Sequence, residues 1–272
     1  MILRKIPSTN ESLPVIGLGT WQSFDKSPSS NLDPLKQVLV NMGNAGGKVI
    51  DSSPMYGKSE EVVGLLTEKA DAGQYFYATK VWTRGKDEGV TQMESSFKKF
   101  RREVIDLVQV HNLVDWKMHL QTLRKWKDEG RIRYIGVTHY TSSMHDELIT
   151  VLKSEPVDFV QFNYSITDRN AEKTLLPTAS DLGVATLINR PFGEGSLFNT
   201  VRNKNLPQWA KEYGMETWSQ FVLKYIISHP AVTCVIPATS DPSHAEENYH
   251  AGVDPLPDES IRKKMVEYIK QL

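Results

Sequence analysis

Short apolar runs rich in β-branched residues alternate with longer amphipathic stretches along the chain. The short runs have the length and composition of buried strands, whereas the longer stretches repeat apolar residues at helical spacing. The pattern predicts strands at residues 15–21, 48–51, 75–80, 104–110, 132–137, 159–163, 184–188 and 233–236. It predicts helices at residues 34–42, 59–70, 90–101, 116–129, 143–153, 171–182, 207–213 with 217–228, 244–249 and 258–272. Each predicted strand is therefore followed by a helical stretch.

The alternation of strands and helices predicts parallel strand pairing, because a parallel crossover needs a connection of helical length. Eight such units in 272 residues favour the α/β fold class and a closed (β/α)8 TIM barrel. A doubly wound open sheet is the alternative, and it normally carries a glycine-rich phosphate loop after its first strand. Residues 17–21 read Gly-Leu-Gly-Thr-Trp and lack the third glycine of that loop.

Two further apolar runs, at residues 3–6 and 13–16, flank the polar segment 8–11 and predict an N-terminal β-hairpin. No linker or low-complexity segment divides the sequence, and proline and glycine fall between the predicted elements. We therefore expect a single barrel domain over residues 1–272.

Charge and composition narrow the classes of partner. The net charge of −1 argues against a nucleic-acid partner, which usually meets a basic surplus. No segment has the length of a membrane span, and the N-terminus lacks an apolar signal stretch. The one cysteine, Cys234, lies in an apolar run, so it is predicted to be a buried core residue and excludes cysteine-rich metal sites. We expect a cytoplasmic protein with no membrane partner and no metal.

Four ionisable residues follow successive predicted strands. Asp51 follows the second barrel strand, Lys80 the third and His111 the fourth. Tyr56 lies in the same loop as Asp51. Because catalytic groups of parallel barrels stand at the C-terminal ends of the strands, we expect these side chains to converge on one mouth.

Six segments in this order resemble the aldo-keto reductase family over nearly the whole chain. Residues 51–60, Asp-Ser-Ser-Pro-Met-Tyr-Gly-Lys-Ser-Glu, resemble the signature D-[ST]-[AS]-x-x-Y-G-x-[ST]-E of that family. The other segments are Ala-Thr-Lys-Val-Trp at 78–82, Val-Gln-Val-His at 108–111, Ile-Gly-Val-Thr at 135–138, Gln-Phe-Asn-Tyr-Ser at 161–165, and Val-Ile-Pro-Ala-Thr-Ser at 235–240 with Glu-Asn at 247–248.

The resemblance implies that aldehyde or ketone carbonyls of small molecules are reduced by hydride from NADPH, with NADH possible. It makes Asp51, Tyr56, Lys80 and His111 the catalytic tetrad. Free tyrosine, with a pKa of about 10, is a poor proton donor, and a lysine ammonium beside it favours the tyrosinate. We therefore expect Lys80 to lower the pKa of Tyr56, and Asp51 to hold Lys80 in place. His111 would donate a hydrogen bond to the substrate oxygen.

The resemblance also implies cofactor and substrate contacts. Trp21 and Trp82 would line the substrate pocket. The carboxamide of nicotinamide would meet Thr138 and Gln161, the pyrophosphate would meet the glycine-containing segment 191–197, and the adenosine end would meet Thr239, Glu247 and Asn248. The full set of expected cofactor contacts is Gly19, Thr20, Trp21, Asp51, Thr138, His139, Gln161, Asn189, Arg190, Pro191, Phe192, Gly193, Gly195, Leu197, Ala238, Thr239, His244, Glu247 and Asn248.

The sequence departs from the family pattern at four of these positions. His139 stands where asparagine is common, and Asn189 stands where many members place an aromatic residue on the nicotinamide. Arg190 either contacts the cofactor or caps the barrel rim. Ala238 and His244 replace the lysine and arginine that would grip a 2′-phosphate, so cofactor preference is expected to be weak. The chain also ends on its last predicted helix, without the loop that roofs the pocket in longer members, and this predicts an open pocket.

Two other functions remain open at the level of sequence. Lys80 could form a Schiff base in a barrel lyase or aldolase, in which case Asp51 and Tyr56 would be incidental. Alternatively, the barrel could be a non-catalytic nicotinamide-binding subunit, which would have no need of all four ionisable residues. For the reductase, we expect a monomer that acts on a small-molecule carbonyl substrate.

Overall fold

Eight parallel strands form one sheet in chain order, from β3 to β10, in a computed structural model that describes residues 1–71 and 73–272. The barrel strands are β3 Leu18–Gly19, β4 Val49–Asp51, β5 Phe76–Val81, β6 Ile105–His111, β7 Ile132–Thr138, β8 Phe159–Asn163, β9 Ala185–Asn189 and β10 Cys234–Val235. Bridges from Ile16 to Val235 and from Gly19 to Ala238 join the first and last strands. The predicted closed TIM barrel is therefore confirmed, and the open-sheet alternative is excluded.

Helices connect the strands and cover the outside of the barrel. They are α1 Asp33–Asn44, α2 Ser59–Leu66, α3 Lys86–Phe100, α4 Trp116–Asp128, α5 His145–Ser154, α6 Leu175–Asp181, α7 Ser196–Thr200, α8 Trp218–Ile227, α9 Pro242–His250 and α10 Glu259–Lys270. Their apolar faces pack on the outward side chains of the strands in one large core. This layer positions the strands, and thereby the side chains at their C-terminal ends.

A second, smaller core fills the barrel interior. Side chains alternate between the two faces of a strand, so every second residue points inward. On β5 these are Phe76, Ala78 and Lys80, which run from an aromatic base to a polar top. Phe76 packs on Tyr134 and Phe159 with ring centroids 5.8 and 6.0 Å apart, so the interior is a packed core and not a channel.

The predicted N-terminal hairpin is present as β1 Leu3–Lys5 paired antiparallel with β2 Ser12–Pro14. Its buried side chains Ile6 and Leu13 belong to the interior core and close the N-terminal end of the barrel. Arg4 anchors the hairpin by donating to the carbonyl oxygens of His229 and Ile227 at 2.6 and 2.7 Å.

Several element bounds differ from the sequence prediction. The first barrel strand, predicted at 15–21, has ladder pairing only at Leu18–Gly19, and the segment predicted as a helix at 207–213 is a 3-10 helix, Gln208–Tyr213. The loop expected at 191–197 contains a 3-10 turn and leads into the short helix α7. Glycine has poor helix propensity and hides the periodicity there, while packing of Phe192 on Phe198, with centroids 5.1 Å apart, supports the turns.

Candidate active site

A layer of polar side chains tops the barrel interior, where Asp51, Lys80, Gln109 and Gln161 point inward from four different strands. All four residues are buried. Each follows an apolar inward residue on its own strand, as the two-residue period requires. The chain thus places a small hydrogen-bonded network directly beneath the C-terminal mouth.

Lys80 and Asp51 form a buried ion pair at the centre of this layer. The ammonium Nζ lies 2.7 Å from Asp51 Oδ2 and also donates to the carbonyl oxygen of Ser52 at 2.7 Å. Burial alone would lower the pKa of Lys80, but the Asp51 carboxylate, with a further contribution from the Tyr56 side chain, raises it above its ordinary value. The lysine therefore stays protonated although it is fully buried.

Tyr56 lies beside this ion pair, with its ring centroid 5.1 Å from Lys80 Nζ. The ring also meets His111 edge to face, at 6.0 Å between centroids and 83° between planes. Burial raises the pKa of the Tyr56 hydroxyl, and the Lys80 ammonium offsets only part of that rise. Lys80 thus lowers the pKa of Tyr56 as expected, but the net pKa is raised, because the cost of burying a phenolate exceeds the attraction of Lys80.

His111 is neutral in this site. Burial, with the Lys80 ammonium as the second cause, lowers its pKa to about 2. The Oγ of buried Ser53 lies 3.2 Å from His111 Nδ1 and accepts the backbone N–H of Met55 at 3.4 Å. The Ser53 hydroxyl can then donate to Nδ1, which places the imidazole proton on Nε2.

Two tryptophans lie near the mouth, and their role in lining the substrate pocket stays a prediction. Trp21 and Trp82 are 43% and 41% exposed, so both present aromatic surface to solvent. The Trp82 ring lies 6.4 Å from the His111 ring. The Gln92 side-chain amide forms two hydrogen bonds with the Trp82 backbone. It accepts from the N–H at 2.6 Å and donates to the carbonyl oxygen at 3.1 Å.

Gln161 and the turn after β7 supply the groups expected to meet nicotinamide. Gln161 lies in the polar layer with Nε2 3.4 Å from Asp51 Oδ2. Thr138, the last residue of β7, is buried next to it in the strand register. His139 Nδ1 accepts the backbone N–H groups of Tyr140 and Thr141 at 3.0 and 3.3 Å, so this histidine shapes the turn.

Arg190 holds the rim of the barrel together. It adopts a φ of +52°, pairs with Glu194 at 2.6 Å and donates to the carbonyl of Tyr140 at 3.0 Å. These bonds favour the rim-capping alternative over a cofactor contact. The side-chain Oδ1 of neighbouring Asn189 is buried and, within the described ranges 1–71 and 73–272, accepts no hydrogen bond.

The backbone of segment 191–197 is largely committed to its own turns. The N–H of Gly193 donates to Arg190 O at 3.0 Å, and those of Gly195 and Leu197 donate to Phe192 O at 3.1 and 3.4 Å. Gly193 and Gly195 adopt φ values of +56° and +88°, which explains the glycines. This segment begins at Pro191, and its binding of pyrophosphate stays a prediction.

The segment expected at the adenosine end is the start of α9. Asp241 Oδ1 accepts the backbone N–H groups of Ser243 and His244 at 2.8 and 3.4 Å, and thus fills the helix N-terminus. Thr239 Oγ1 accepts the N–H of Asp241 at 3.0 Å. Glu247 accepts the Ser219 hydroxyl at 3.2 Å. The other predicted residues here are the exposed Ala238 and His244 and the buried Asn248.

Gly19 and Thr20 have structural roles whatever they contact in a complex. The Gly19 N–H donates to Pro237 O at 3.0 Å across the barrel seam, and a Cβ there would lie 2.8 Å from Ile236 O. The hydroxyl and the N–H of Thr20 both donate to Asp51 O at 3.0 Å. Both residues therefore fix the position of Asp51 or of the strand beside it.

Gln109 and Ser53 belong to the site but were not predicted as site residues. Gln109 stands two residues before His111, on the inward face of a strand that is otherwise apolar there. That polar residue at a period-two position was the available signal. Ser53 lies inside the tyrosine signature, but its contact with His111 depends on tertiary structure.

The described part of the chain contains no group of three or more histidine, cysteine or acidic residues placed to hold a metal ion. Among its helices, none is both long and apolar enough to cross a bilayer.

The mouth of this TIM barrel carries a buried lysine–aspartate pair beside a tyrosine and a neutral histidine. This arrangement is suited to an enzyme that transfers protons. The family model described as the aldo/keto reductase family matches residues 15–265, and the chain belongs to that family. The resemblance, the fold and the oxidoreductase class predicted from sequence are therefore confirmed.

Individual relatives share low sequence identity with this chain, but the matches cover most of it. The chain is 28% identical over 244 residues to the NADH-specific methylglyoxal reductase of Escherichia coli, covering 77% of this chain and 73% of the relative. It is 26% identical to the 9,11-endoperoxide prostaglandin H2 reductase of Trypanosoma cruzi, covering 92% and 86%. The crystal structure of an aldo-keto reductase from Klebsiella pneumoniae in complex with NADPH superposes with a TM-score of 0.82 at 22% identity, covering 99% and 96%.

Proposed function

We propose that this protein reduces small aldehyde or ketone carbonyls to alcohols with NADPH or NADH, and that Tyr56 donates the proton. The observation that carries the proposal is the buried Lys80 ammonium, held by Asp51 at 2.7 Å and placed 5.1 Å from the Tyr56 ring. An ammonium in that place stabilises a phenolate, which is the form that Tyr56 adopts after it has given up its proton.

The residues at the mouth fit a nicotinamide ring that carries a carboxamide. A carboxamide offers one acceptor and one donor group. The site offers an amide N–H on Gln161 and the buried Oδ1 of Asn189, which accepts no hydrogen bond from the residues that the structure describes. Gln161, Thr138 and Asn189 would hold this end of the cofactor. When bound, the reduced nicotinamide supplies the hydride.

The residues of the chain then supply the proton and the positioning. His111 is neutral, so its Nε2–H donates to the carbonyl oxygen and orients the substrate without adding a charge. Tyr56 transfers its hydroxyl proton to the same oxygen as hydride reaches the carbonyl carbon, which completes the alcohol. Lys80 stabilises the phenolate left on Tyr56, and Asp51 keeps Lys80 in place.

The environment of Lys80 disfavours the lyase alternative. A Schiff base needs an unprotonated amine with access to substrate. Lys80 is fully buried, donates two hydrogen bonds and has a raised pKa. Its surroundings therefore support a role as a fixed positive charge. The complete set of four ionisable side chains likewise favours an enzyme over a binding subunit.

Replacement of Tyr56 by phenylalanine tests the proposal. Tyr56→Phe removes the proton donor and keeps the ring, so turnover should fall roughly 10²- to 10⁴-fold. Cofactor affinity should be nearly unchanged. A panel of aldehydes and ketones, assayed with NADPH and NADH by the absorbance of the reduced cofactor, measures the first effect, and quenching of tryptophan fluorescence measures the second. Near-normal turnover in the Phe variant would contradict the assignment.

We also propose that preference between NADPH and NADH is weak. The exposed Ala238 and His244 stand where the family grips the 2′-phosphate, and the Asp241 carboxylate fills the N-terminus of α9, which would otherwise attract an anion. Ala238→Lys combined with His244→Arg should tighten NADPH by about 1–3 kcal/mol through charge-assisted bonds and leave NADH binding unchanged. Dissociation constants for both cofactors, compared between wild type and variant, measure the effect. A wild-type protein that already binds NADPH far more tightly than NADH would show that other residues hold the phosphate.

The remaining features of the proposal concern the setting of the reaction. Asp51, Tyr56, Lys80 and His111 converge within one barrel, which supports a monomer as the working unit. Reduced nicotinamide cofactors are intracellular metabolites, and we therefore place the enzyme in the cytoplasm. The exposed aromatic side chains of Trp21 and Trp82 suit small carbonyl compounds with an apolar part.

A further inference from the structure

Gln109 lies at the centre of the polar layer and outside the tetrad. It is fully buried on β6, and its neighbours in the strand register are Lys80 on β5 and Gly136 on β7. Its Nε2 donates to Gln161 Oε1 at 2.7 Å. A buried polar side chain in a barrel interior is costly unless it forms hydrogen bonds, so this amide needs an explanation beyond packing.

The direction of the hydrogen bonds is fixed by charge. Asp51, which is paired with Lys80, presents only acceptor oxygens, so the edge of Gln161 that faces it must be Nε2–H. The opposite edge of the Gln161 amide is then Oε1, and the group that meets it must be a donor. Gln109 supplies that donor, and turning both amides around would place Gln161 Oε1 against the carboxylate.

This contact has room because the neighbouring residue on the next strand is a glycine, which has no side chain. A Cβ on Gly136 would lie 3.1 Å from Gln109 Cγ and 2.8 Å from Phe159 O. Within the part of the chain that the structure describes, Gln109 Oε1 accepts no hydrogen bond. The Nε2 donor of Gln109 therefore has a hydrogen-bond partner, whereas its Oε1 acceptor has none among the described residues. This pattern is expected of a residue whose role is to donate a hydrogen bond from Nε2.

We propose that Gln109 is a positioning residue, which locks the amide of Gln161 so that an N–H of Gln161 remains available to the carboxamide of nicotinamide. This inference rests on the proposed function, since it assigns that end of the cofactor to Gln161. Asp51 and Gln109 hold opposite edges of the Gln161 amide. Without Gln109, only the longer contact of 3.4 Å to Asp51 would orient it.

The test compares cofactors with and without nicotinamide. Gln109→Met keeps the length of the side chain and removes the donor. Its affinity for NADPH should fall roughly tenfold, the loss expected for one buried hydrogen bond left unmade. Its affinity for 2′-phospho-ADP-ribose, which is NADPH without the nicotinamide, should not change. Both dissociation constants come from quenching of tryptophan fluorescence, and NADH with ADP-ribose forms a second matched pair.

A double-mutant cycle with Gln161→Met separates positioning from a general disturbance of the barrel. If Gln109 acts through Gln161, the double variant should bind NADPH no more weakly than Gln161→Met alone. Gln109→Asn, which retains an amide too short to reach Gln161, provides a second variant if Gln109→Met fails to fold.

Two outcomes would overturn the inference alone, given a wild type that binds its cofactor normally. One is unchanged NADPH affinity in a folded Gln109 variant, and the other is an equal loss for NADPH and 2′-phospho-ADP-ribose. A wild-type protein that binds neither NADPH nor NADH would instead overturn the proposed function, and this inference with it.

Discussion

Lys80 and Lys224 are both fully buried lysines, yet their surroundings act on them in opposite directions. Lys224 Nζ donates to the carbonyl oxygens of Val253 and Pro255 at 2.6 and 3.0 Å, and burial lowers its pKa. Lys80 has a carboxylate within 2.7 Å, which raises its pKa despite complete burial. Neutral carbonyls hold a lysine in place without offsetting the effect of burial on its pKa, whereas the paired carboxylate of Asp51 does offset it.

His111 gives the protein an acid sensitivity whose sign can be worked out. Its folded pKa of about 2 lies below the ordinary value of 6.5, so the unfolded chain binds the proton more readily. The contribution of His111 to stability is therefore complete above pH 6.5 and is lost as the pH falls from there toward 2. At about pH 5 the loss should be about 2 kcal/mol.

Urea unfolding of wild type and His111→Gln at neutral pH and at about pH 5 measures this contribution. The variant should lose less stability than wild type over that interval. Carboxyl groups whose pKa is raised by burial, such as that of Glu60, are present in both proteins, so their contributions cancel in the comparison. Parallel losses in the two proteins would show that His111 is not held neutral.

At the scale of elements, the crossing of α2 and α3 depends on a glycine. Gly64 on α2 is buried, and a Cβ there would lie 2.0 Å from the carbonyl oxygen of Lys99 and 2.8 Å from Phe100 Cα, both in the backbone of α3. Backbone atoms cannot move aside as a flexible side chain can. Gly43 on α1 offers a contrast, because its position is exposed and nothing lies within 4 Å of such a Cβ.

We therefore expect opposite effects of the same substitution. Gly64→Ala should lower the free energy of unfolding by about 3 kcal/mol or more, through overpacking. Gly43→Ala should raise it by about 0.5 kcal/mol, because alanine has the higher helix propensity. Denaturant unfolding of both variants measures the two changes. Loss of stability in both, or in neither, would contradict the assigned packing.

The sequence predicts elements well where periodicity persists and poorly where glycine or a tertiary contact decides. The strand that carries Lys80 is clear, since its inward residues alternate up to the lysine. Helix α7 is not, because it follows a glycine-rich turn and depends on the packing of Phe192. The replacement of asparagine by His139 is understood only in three dimensions, where Nδ1 accepts the N–H groups of the turn.

The site shows the same division. Strand-end positions alone place the four ionisable residues at one mouth, because parallel strands end on the same side. The sequence motif does not predict that the pKa of Tyr56 is raised, because this shift depends on how deeply the folded chain buries the hydroxyl. The roles of Gln109 and Ser53 likewise follow from contacts between different elements.

At the scale of the whole molecule, the two ends of the barrel have different tasks. The hairpin closes the N-terminal end with Ile6 and Leu13, and the reacting groups stand at the other end. Leu13→Ala should lower the free energy of unfolding by about 2–5 kcal/mol, since it opens a cavity in the interior core. Turnover per folded molecule should stay the same.

Leu3→Ala is the matched control for this prediction, because Leu3 lies on the same hairpin and is 58% exposed. It should change stability little. Thermal unfolding and cofactor oxidation, measured on the same preparations, separate the two properties. A large loss of turnover in folded Leu13→Ala would show that the closed end also shapes the mouth.

The closed base also sets an order of events in time. Aromatic rings seal the interior beneath Lys80, and in the described residues the chain of hydrogen bonds inward from Lys80 passes through Asp51 and Gln161 and ends at Gln109. Protons from solvent would then enter through the mouth of the barrel, which is also the route by which the alcohol would leave. With Tyr56 as the proposed proton donor, we therefore expect the alcohol to leave the mouth before Tyr56 is reprotonated.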